Sequence, residues 1–479
     1  MKRSAIAKII GLFLILFSVV MFPPMLVNII YQQDSALEFY LSFFITLITG
    51  FILWFPVRRH HIELRIRDGF LIVVLFWIVL SVFGSLPFMF THSLSLSVTD
   101  AIFESMSGLT TTGASVITDI DTLPNAILFY RQEMQFFGGM GIIVLAVAVL
   151  PMLGIGGLQL VRAETPGPIK DSKLTPRIHE TAKTLWYIYV GLTVLCIFFY
   201  WLCGMNFFNA VGEGLSTVAT GGFSMHNDSF GYYASPSINI VGIIFMLLSS
   251  INFGLHYVFL QKKSLSVYIK DLETRTYLCL MSFIFIIVFS VLLWHEYYEN
   301  TWDIFIDSLF NVVSIMTTSG FTTLSFTHWP LFLGVLVIMG GIIGGCSFST
   351  SGGMKVIRFV LLNKQSLCEL KKLIHPRAIY SVKFGNHVLP DHVIQAIWGF
   401  ISVYVLVFML MLLLLLANHV DFLNAFGATI ASLSNVGVGF SAFCAMNTMS
   451  KWVLIVGMLL GRLEIFTVLV LFLPEFWRR

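Results

Sequence analysis

The chain has 479 residues, of which 57% are hydrophobic and only 11% charged, and its mean hydropathy is +0.88. Soluble proteins carry roughly 25% charged residues, and a soluble globule of this size could not bury so much apolar surface. The composition excludes a cytosolic enzyme, a disulfide-rich secreted protein and a disordered chain. It indicates a polytopic protein of the lipid bilayer, and the net charge of +3 does not suggest a nucleic-acid partner.

Ten stretches of the chain meet the requirement of about 20 apolar residues for crossing the bilayer. They are residues 6–30, 39–56, 70–90, 134–156, 185–203, 238–260, 277–294, 329–358, 393–417 and 452–473. The first is too long for a signal peptide, so we interpret it as a retained helix. With the amino terminus inside, 25 of the 28 Lys and Arg residues lie on the inner side, Arg131 and Lys451 lie outside, and Arg462 lies within a span. The positive-inside rule therefore predicts cytoplasmic N- and C-termini.

Four of the outer connections contain an amphipathic segment that is too short to span the bilayer and ends in a glycine. Aligned without gaps, the segments share one glycine column, and thirteen residues earlier each has Asp or Asn. The glycines are Gly113, Gly222, Gly320 and Gly437, and the earlier residues are Asp100, Asn209, Asp307 and Asn424. Such a register is a strong sign of a repeated structural unit. The alternative, unrelated packing glycines or loop turns, does not explain the shared spacing.

Each column of this repeat has a physical interpretation. Asp and Asn are good N-caps, so Asp100, Asn209, Asp307 and Asn424 are predicted to begin four short pore helices. Each helix stops partway through the bilayer, and the negative end of its dipole favours a cation there. The glycine tolerates positive φ, so successive carbonyls can face one axis and replace an ion's hydration shell. Irregular backbone at membrane depth must be buried or line a water-filled cavity.

These features predict an all-α polytopic membrane protein with ten spanning helices and four re-entrant pore helices. We call the three helices of each unit M1, P and M2, and we expect the units to form a pseudo-fourfold arrangement around a central pore. The predicted domains are a two-helix extension (1–68) and repeats at 69–162, 163–262, 263–362 and 363–479. Parallel copies of a pore-loop unit favour a central conduit, whereas inverted repeats are typical of alternating-access carriers.

On these motifs the chain resembles the Trk/Ktr/HKT superfamily of potassium transporters, in particular its bacterial TrkH/TrkG subunits, over essentially its whole length. The resemblance implies a selectivity filter with one glycine per repeat. The ion-coordinating positions that it implies are Thr111, Thr112 and Gly113; Thr220, Gly221 and Gly222; Thr318, Ser319 and Gly320; and Asn435, Val436 and Gly437. Serine in the glycine column accompanies sodium preference in plant relatives, and no repeat has it here. The resemblance therefore favours K⁺ as the substrate.

A glycine-rich run, G-G-I-I-G-G-C-S-F-S-T-S-G-G-M-K at 340–355, lies within the predicted span 329–358. It cannot easily sustain a regular helix, since each glycine costs about 1 kcal/mol, and it lacks the P-loop pattern. A G-x-x-x-G packing face is the alternative. The resemblance implies an intramembrane gating loop below the filter. Its gate residues would be Gly340, Gly341, Gly344, Gly345, Ser347, Ser349, Gly352 and Gly353, together with Arg462 in the last span.

Arg462 would lie deep in the membrane, where a charge costs about 2.5–3.5 kcal/mol and should face protein or water. We expect it to lie beneath the filter and, by repulsion, to set a barrier to cation passage. The alternative is a structural partner, either a loop carbonyl or Glu464, although residues two apart on a helix do not face one another. Glu104 and Glu213 occupy equivalent columns, and they would either stabilise the pore-helix N-termini or attract cations at the mouth.

The pore-loop repeats favour a channel-like cation conduit, and the resemblance implies that it serves potassium-selective uptake across the bacterial inner membrane. A K⁺/H⁺ or K⁺/Na⁺ symporter on the same scaffold is the alternative. A membrane-embedded enzyme is disfavoured because the sequence has no evident catalytic or metal-ligand cluster, and no cofactor is expected besides the transported K⁺. The inner loops are too short for a nucleotide-binding domain, so a cytosolic signal would need another chain on the basic inner face (162–184, 262–275 and 355–392). The resemblance implies a homodimer and a soluble nucleotide-binding regulatory subunit, TrkA.

Overall fold

The structure, a computed structural model, describes residues 3–33, 36–59, 66–91, 94–141, 178–295, 300–323, 329–378, 380–384, 387–440 and 442–478. Within these ranges the regular structure is helical, apart from one short antiparallel pair in which β1 (Lys383–Phe384) pairs with β2 (His387–Val388). The predicted all-α fold is confirmed. The second half of the predicted span 134–156 and the basic inner segment 162–177 lie outside the described residues.

The N-terminal extension is a pair of antiparallel apolar helices that pack closely against each other. A Cβ added to Gly11 would lie 2.7 Å from the carbonyl oxygen of Gly50, so only glycines allow the two backbones to approach this far. The elements are α1 (Arg3–Ser18), a 3-10 turn (Val19–Met21), α2 (Phe22–Ile30), α3 (Ala36–Trp54) and a second 3-10 turn (Phe55–Val57).

The first two M1–P–M2 units follow. In repeat 1 the elements are α4 (Ile66–Gly84) and α5 (Leu86–Phe90) as M1, α6 (Val98–Leu109) as P, and α7 (Asn125–Gly139) as the described part of M2. In repeat 2 they are α8 (Ile178–Leu202) as M1, α9 (Phe207–Ala219) as P, a 3-10 turn (Ser229–Tyr233), and α10 (Pro236–Ser250) and α11 (Phe253–Lys262) as M2.

The second half of the chain has the same order of elements. In repeat 3 they are the short α12 (Ser266–Lys270), α13 (Leu272–Trp294) as M1, α14 (Thr301–Met316) as P, and α15 (Leu331–Ile343) and α16 (Val356–Ile374) as M2. In repeat 4 they are α17 (Asp391–Ala417) as M1, α18 (Phe422–Leu433) as P, a 3-10 turn (Phe443–Ala445), and α19 (Thr448–Arg462), α20 (Phe466–Leu469), a 3-10 turn (Val470–Phe472) and α21 (Pro474–Trp477). The exact domain boundaries stay a prediction.

The four units close into a ring. Each P helix packs against its own M1 helix, its own M2 helix and the M2 helix of the preceding repeat. The P helix of repeat 1, α6, completes the circle by packing against α19 of repeat 4. The four P helices are therefore equivalent in their surroundings, which places the segments that follow them around one axis.

The M2 helices differ most from the sequence prediction. Among the described residues, six helices are long and apolar enough to cross a membrane. Two pairs of consecutive helices would bring the number to eight if each pair counted as one span. These pairs are bent, by 98° at Ile251–Asn252 and by 107° at Leu463–Ile465. The expectation of continuous helices over 238–260 and 452–473 is therefore wrong. Neither break contains glycine or proline. Asn252 instead caps α11 by accepting a hydrogen bond from the next-but-one backbone N–H, and Glu464 and Ile465 have positive φ.

Candidate functional site

The four segments after the P helices share one backbone conformation. The filter glycines have φ of 74° to 85°, and the residue two positions before each glycine also has positive φ, between 51° and 59°. Those earlier residues are Thr111, Thr220, Thr318 and Asn435. Non-glycine residues seldom adopt positive φ, and such strain persists only where the surrounding structure enforces it. Its repetition in four segments indicates one functional backbone geometry.

Each P helix also ends in the same turn. The residue before each filter glycine donates its backbone N–H to a carbonyl five residues earlier, as in a Schellman motif. The donor–acceptor pairs are Thr112–Ser107, Gly221–Ser216, Ser319–Ser314 and Val436–Ala431, at 2.8–3.0 Å. The negative end of each helix dipole therefore lies directly next to the filter, where it favours a cation.

Each filter glycine contacts the filter segment of the next repeat, and the four contacts close a ring. A Cβ on any of them would overlap the carbonyl oxygen of the residue before the filter glycine in the next repeat. The pairs are Gly113 with Gly221, Gly222 with Ser319, Gly320 with Val436, and Gly437 with Thr112. The contacts thus run from repeat 1 through repeats 2, 3 and 4 and back to repeat 1. Glycine is required for its positive φ and also because the neighbouring oxygen occupies the space of a side chain.

The predicted N-caps of the pore helices are wrong. The helices begin earlier. The side chain of each observed cap accepts a hydrogen bond, at 3.1–3.3 Å, from a backbone N–H two or three residues ahead. The observed caps are Ser97, Asn206, Asn300 and Asp421. Of the predicted caps, Asp100, Asn209 and Asn424 are the third residues of their helices, and Asp307 is the seventh. Equally good capping residues precede the predicted ones, so the pattern alone could not choose between them.

Two of the residues predicted as caps have other partners. Asp100 accepts a hydrogen bond from Ser97 (2.7 Å) and pairs with Lys451 of α19 (2.6 Å). Asn209 contacts the ring of His226 (2.9 Å), which in turn pairs with Asp121 in the loop after the first filter (2.7 Å). These contacts join neighbouring repeats near the N-terminal ends of the pore helices.

Glu104 anchors the chain that leaves the first filter. Its carboxylate accepts hydrogen bonds from the hydroxyl of Ser115 (3.0 Å) and the backbone N–H of Val116 (3.1 Å), and it pairs with Arg131 of α7 (2.8 Å). Glu104 and Arg131 are both fully buried. Arg131 also stacks 4.2 Å from the ring centroid of Phe223, just after the second filter. Arg131, which the sequence places on the outer side, is thus inside the protein, and no solvent surrounds its charge.

Glu213 performs the same task in repeat 2. Its carboxylate accepts hydrogen bonds from the hydroxyl of Ser224 (2.6 Å), the backbone N–H of Met225 (2.9 Å) and the hydroxyl of Tyr233 (3.2 Å). In repeat 3 the same column holds Asn311, whose amide donates to the hydroxyl of Thr323 (2.9 Å). The two glutamates thus anchor the filter segments from inside the protein, a role that the sequence did not predict, and cation attraction at the mouth stays a prediction.

Replacing Arg131 by methionine is expected to destabilise the protein by about 3–5 kcal/mol, because it leaves the buried Glu104 carboxylate without its counter-charge. Thermal unfolding of the purified protein in detergent would measure the loss. The double variant Arg131→Met with Glu104→Leu should recover part of it, since an apolar pair can replace a buried ion pair. The exposed pair Lys372–Glu369 provides a control, and Lys372→Ala should leave the unfolding midpoint unchanged. An unchanged midpoint for Arg131→Met would contradict the expected role.

The glycine-rich run breaks the M2 helix of repeat 3. The helix α15 continues through Gly340 and Gly341 and ends at Ile343, so the irregular loop comprises residues 344–355. The loop packs against the break in repeat 2, because Cys346 donates its backbone N–H to Ser250 O (2.9 Å). The predicted gate residues Gly344, Gly345, Ser347, Ser349, Gly352 and Gly353 lie in this loop.

The loop lies against the side of the filter at which the P helices end. The backbone N–H of Gly352 donates to the hydroxyl of Thr318 (2.6 Å), and the hydroxyl of Thr220 donates to that of Thr350 (3.2 Å). A Cβ on Gly352 would lie 3.0 Å from the Cβ of Asn435. The loop therefore contacts the positive-φ residue of three repeats.

Arg462 contacts the positive-φ residue of the remaining repeat, which is repeat 1. It is the last residue of α19, and its Nη1 donates to the hydroxyl of Thr111 and to the carbonyl of Thr350, both at 3.1 Å. Its Nη2 donates to the carbonyl of Gly138 in α7 (2.7 Å). Arg462 thus joins the first filter segment, the loop and the M2 helix of repeat 1. The contact with a loop carbonyl that was expected as the alternative is therefore present, and the position beneath the filter stays a prediction.

Glu464 has a different partner. It forms an ion pair with Arg358, near the start of α16, and Arg358 also stacks 3.9 Å from the ring centroid of Phe400. At the other end of the loop, Glu273 of α13 accepts the backbone N–H of Ser347 (2.7 Å). Charged side chains from repeats 3 and 4 therefore hold both ends of the loop.

Two site residues could not be identified from the repeat pattern. Arg131 and Gln135 lie on α7, and both contact filter segments of a neighbouring repeat. The signal for Arg131 lay outside the repeat pattern: the carboxylate of Glu104, if buried, needs a partner. Gln135 gave no such signal, since its partners are backbone groups of the second filter segment.

A bundle of apolar helices around a ring of four re-entrant segments defines a membrane protein of the ion-conducting class. Residues 35–479 match the model of the TrkH family, described as a cation transport protein. The chain is 52% identical to the Trk system potassium uptake protein TrkH of Vibrio parahaemolyticus over the full length of both. It is 42% identical to TrkG of Escherichia coli, over 98% of this chain and 97% of that one.

The solved structures agree with this relationship. The crystal structure of the potassium transporter TrkH from Vibrio parahaemolyticus matches with a TM-score of 0.91 and 50% sequence identity, over 100% of both chains. The chain belongs to the TrkH family of cation transport proteins.

Proposed function

We propose that this chain is the potassium-selective membrane subunit of a Trk-type uptake system in the bacterial inner membrane. The proposal rests on the ring of four filter glycines. Two residues before each glycine lies a second residue with positive φ. This geometry supports carbonyl oxygens from four repeats replacing the hydration shell of one ion. The names of the relatives, potassium uptake proteins of a Trk system, support K⁺ as that ion.

The loop at 344–355 and Arg462 form the gate in this proposal. Their hydrogen bonds to Thr111, Thr220 and Thr318 support a closed arrangement in which the inner side of the filter is covered. Opening would break these contacts and move the loop away from the axis. The proposal keeps the filter glycines in place during gating, since the neighbouring repeats hold them.

Ion flux into liposomes containing the purified chain tests the proposal. We expect K⁺ and Rb⁺ to enter faster than Na⁺ and Li⁺, because a ring of carbonyls matched to the larger ions does not compensate the smaller ones for lost water. Liposomes without protein are the control. Na⁺ flux equal to K⁺ flux would remove the selectivity from the proposal.

Symport with H⁺ or Na⁺ is the second candidate mechanism on this scaffold. The buried carboxylates of Glu104, Glu213 and Glu273 each accept a backbone N–H, which favours an anchoring role over proton relay and supports channel-like conduction. Reversal potentials measured across a pH gradient distinguish the two mechanisms. A reversal potential that follows the K⁺ gradient alone is expected for a channel, whereas a shift with pH would favour coupled H⁺ transport.

The proposal includes a homodimer with cytoplasmic termini and a TrkA-type regulatory subunit on the basic inner face. In the described part of that face, the positive residues of α16 and the neighbouring loop suit an acidic partner surface. Flux recorded with and without the regulatory subunit tests this part. Gating that is unchanged when the regulatory subunit is removed would reject the assignment.

A further inference from the structure

The filter segment of repeat 2 lacks a side chain that the other repeats have. The residue before the filter glycine is Thr112 in repeat 1 and Ser319 in repeat 3, and each hydroxyl bonds to a hydroxyl two residues earlier. Those bonds are 2.8 Å to Thr110 and 2.9 Å to Thr317. In repeat 4 the corresponding residues are serine and valine, and in repeat 2 they are alanine and glycine. Repeat 2 therefore lacks this hydrogen bond and is the one repeat without any side chain before its filter glycine.

The backbone of repeat 2 does not require glycine at this position. Gly222 has a φ of 85°, whereas Gly221 is not in a positive-φ conformation. A Cβ added to Gly221 would instead overlap the Oε1 and Cδ atoms of Gln135, which comes from α7 of repeat 1. Gln135 therefore fills the space of the missing side chain.

The side-chain amide of Gln135 hydrogen-bonds on both sides of the filter glycine. Its Nε2 donates to the carbonyl of Gly221 (2.7 Å), and its Oε1 accepts from the backbone N–H of Phe223 (3.1 Å) and the hydroxyl of Ser216 (2.6 Å). The backbone groups determine the orientation of the amide, because a carbonyl only accepts and an N–H only donates. Gln135 is fully buried, so water does not replace these bonds at low cost.

The carbonyl that Gln135 holds belongs to the ring. Gly221 O is the oxygen that a Cβ on Gly113 would overlap, so it lies at the contact between repeats 1 and 2. Its position affects the filter segments of both repeats. A carbonyl released from Gln135 could move towards the axis, where it would accommodate a smaller ion.

We propose that Gln135 is a positioning residue for ion selectivity, which holds the Gly221 carbonyl at the distance that favours K⁺ over Na⁺. The inference rests on the proposed filter function. Gln135, on the M2 helix of repeat 1, thus supports the filter backbone of repeat 2 where that repeat has no side chain of its own. The conformation of the second filter segment therefore depends on repeat 1.

The test compares K⁺/Na⁺ flux ratios in liposomes for four variants. Gln135→Ala should lower the ratio by about fivefold or more, because the carbonyl loses a buried hydrogen bond. Gly221→Ser should also lower it, because its side chain clashes with Gln135. The double variant Gln135→Ala with Gly221→Ser should restore much of the ratio, since the serine occupies the vacated space. Gln132→Ala is the matched control, because both polar atoms of that buried side chain lack hydrogen-bond partners among the described residues.

The outcomes separate this inference from the proposed function. A wild-type chain without K⁺ preference rejects the filter proposal itself. A selective wild type with an equally selective Gln135→Ala variant overturns only the role of Gln135. If Gln135→Ala does not reach the membrane, the comparison between Gly221→Ser and the double variant decides: restored selectivity supports the inference, and a ratio no better than that of Gly221→Ser contradicts it.

Discussion

Replacing Arg462 by alanine is expected to raise K⁺ flux through the purified chain by about tenfold or more. A unit positive charge 4 Å from a passing cation costs about 4 kcal/mol at an effective dielectric constant near 20. Even if the substitution lowers the barrier by only a third of that energy, K⁺ flux rises about tenfold. The substitution also removes the hydrogen bonds from Arg462 to Thr111, in the proposed filter, and to Thr350, in the proposed gating loop.

Arg462→Lys separates the two effects. Lysine keeps the charge, but its single ammonium group cannot reproduce the planar fork that reaches Thr111, Thr350 and Gly138 at once. Flux near the wild-type level in Arg462→Lys would assign the barrier to the charge, whereas flux near that of Arg462→Ala would assign it to the hydrogen bonds. Unchanged or lower flux in Arg462→Ala, with a normal unfolding midpoint, would contradict a barrier of either kind.

The second large effect is expected at Gly320. Serine there should lower K⁺ flux by at least about tenfold and abolish the preference for K⁺, because positive φ strains a non-glycine residue by about 1–3 kcal/mol. In addition, the new Cβ would overlap the carbonyl oxygen of Val436 in the next repeat. The damage should therefore extend to repeat 4, although the substitution lies in repeat 3.

A matched control lies in the M1 helix of repeat 2. Gly191 has no atoms within 4 Å of an added Cβ among the described residues, so Gly191→Ser should leave both flux and selectivity unchanged. Liposome flux of K⁺ and Na⁺ measures both variants. Wild-type selectivity in Gly320→Ser would contradict the proposed filter, and reduced flux in Gly191→Ser would show that the assay responds to glycine substitutions in general.

The repeat pattern of the sequence led to the correct architecture because it combines spacing with chemistry. The glycine column and the small residues before it are local requirements of a backbone that reverses direction inside the membrane. The M2 breaks were not predictable in the same way. At Asn252 and Glu464 the chain bends without glycine or proline, and the bends depend on partners distant in sequence, such as Arg358 for Glu464.

The supports of the filter illustrate the same limit. Glu104 stood out because Glu213 repeats it, but Arg131 and Gln135 have no counterpart that the alignment of repeats could identify. Both act across a repeat boundary, on Ser224 and Gly221 respectively. Periodicity identifies what the four units share, whereas these residues make contacts that occur at only one boundary between repeats among the described residues.

The final contact of the ring has a consequence for biosynthesis. Asn435 donates a hydrogen bond to Thr112 (2.9 Å), and 323 positions separate the two residues along the chain. A chain emerges from the ribosome with its N-terminus first. The filter segment of repeat 1 can therefore form this hydrogen bond only after nearly the whole polypeptide has been inserted. An unfinished chain then lacks one quarter of the ring, so the contacts of repeat 4 with repeat 1 and with repeat 3 form last in biosynthesis.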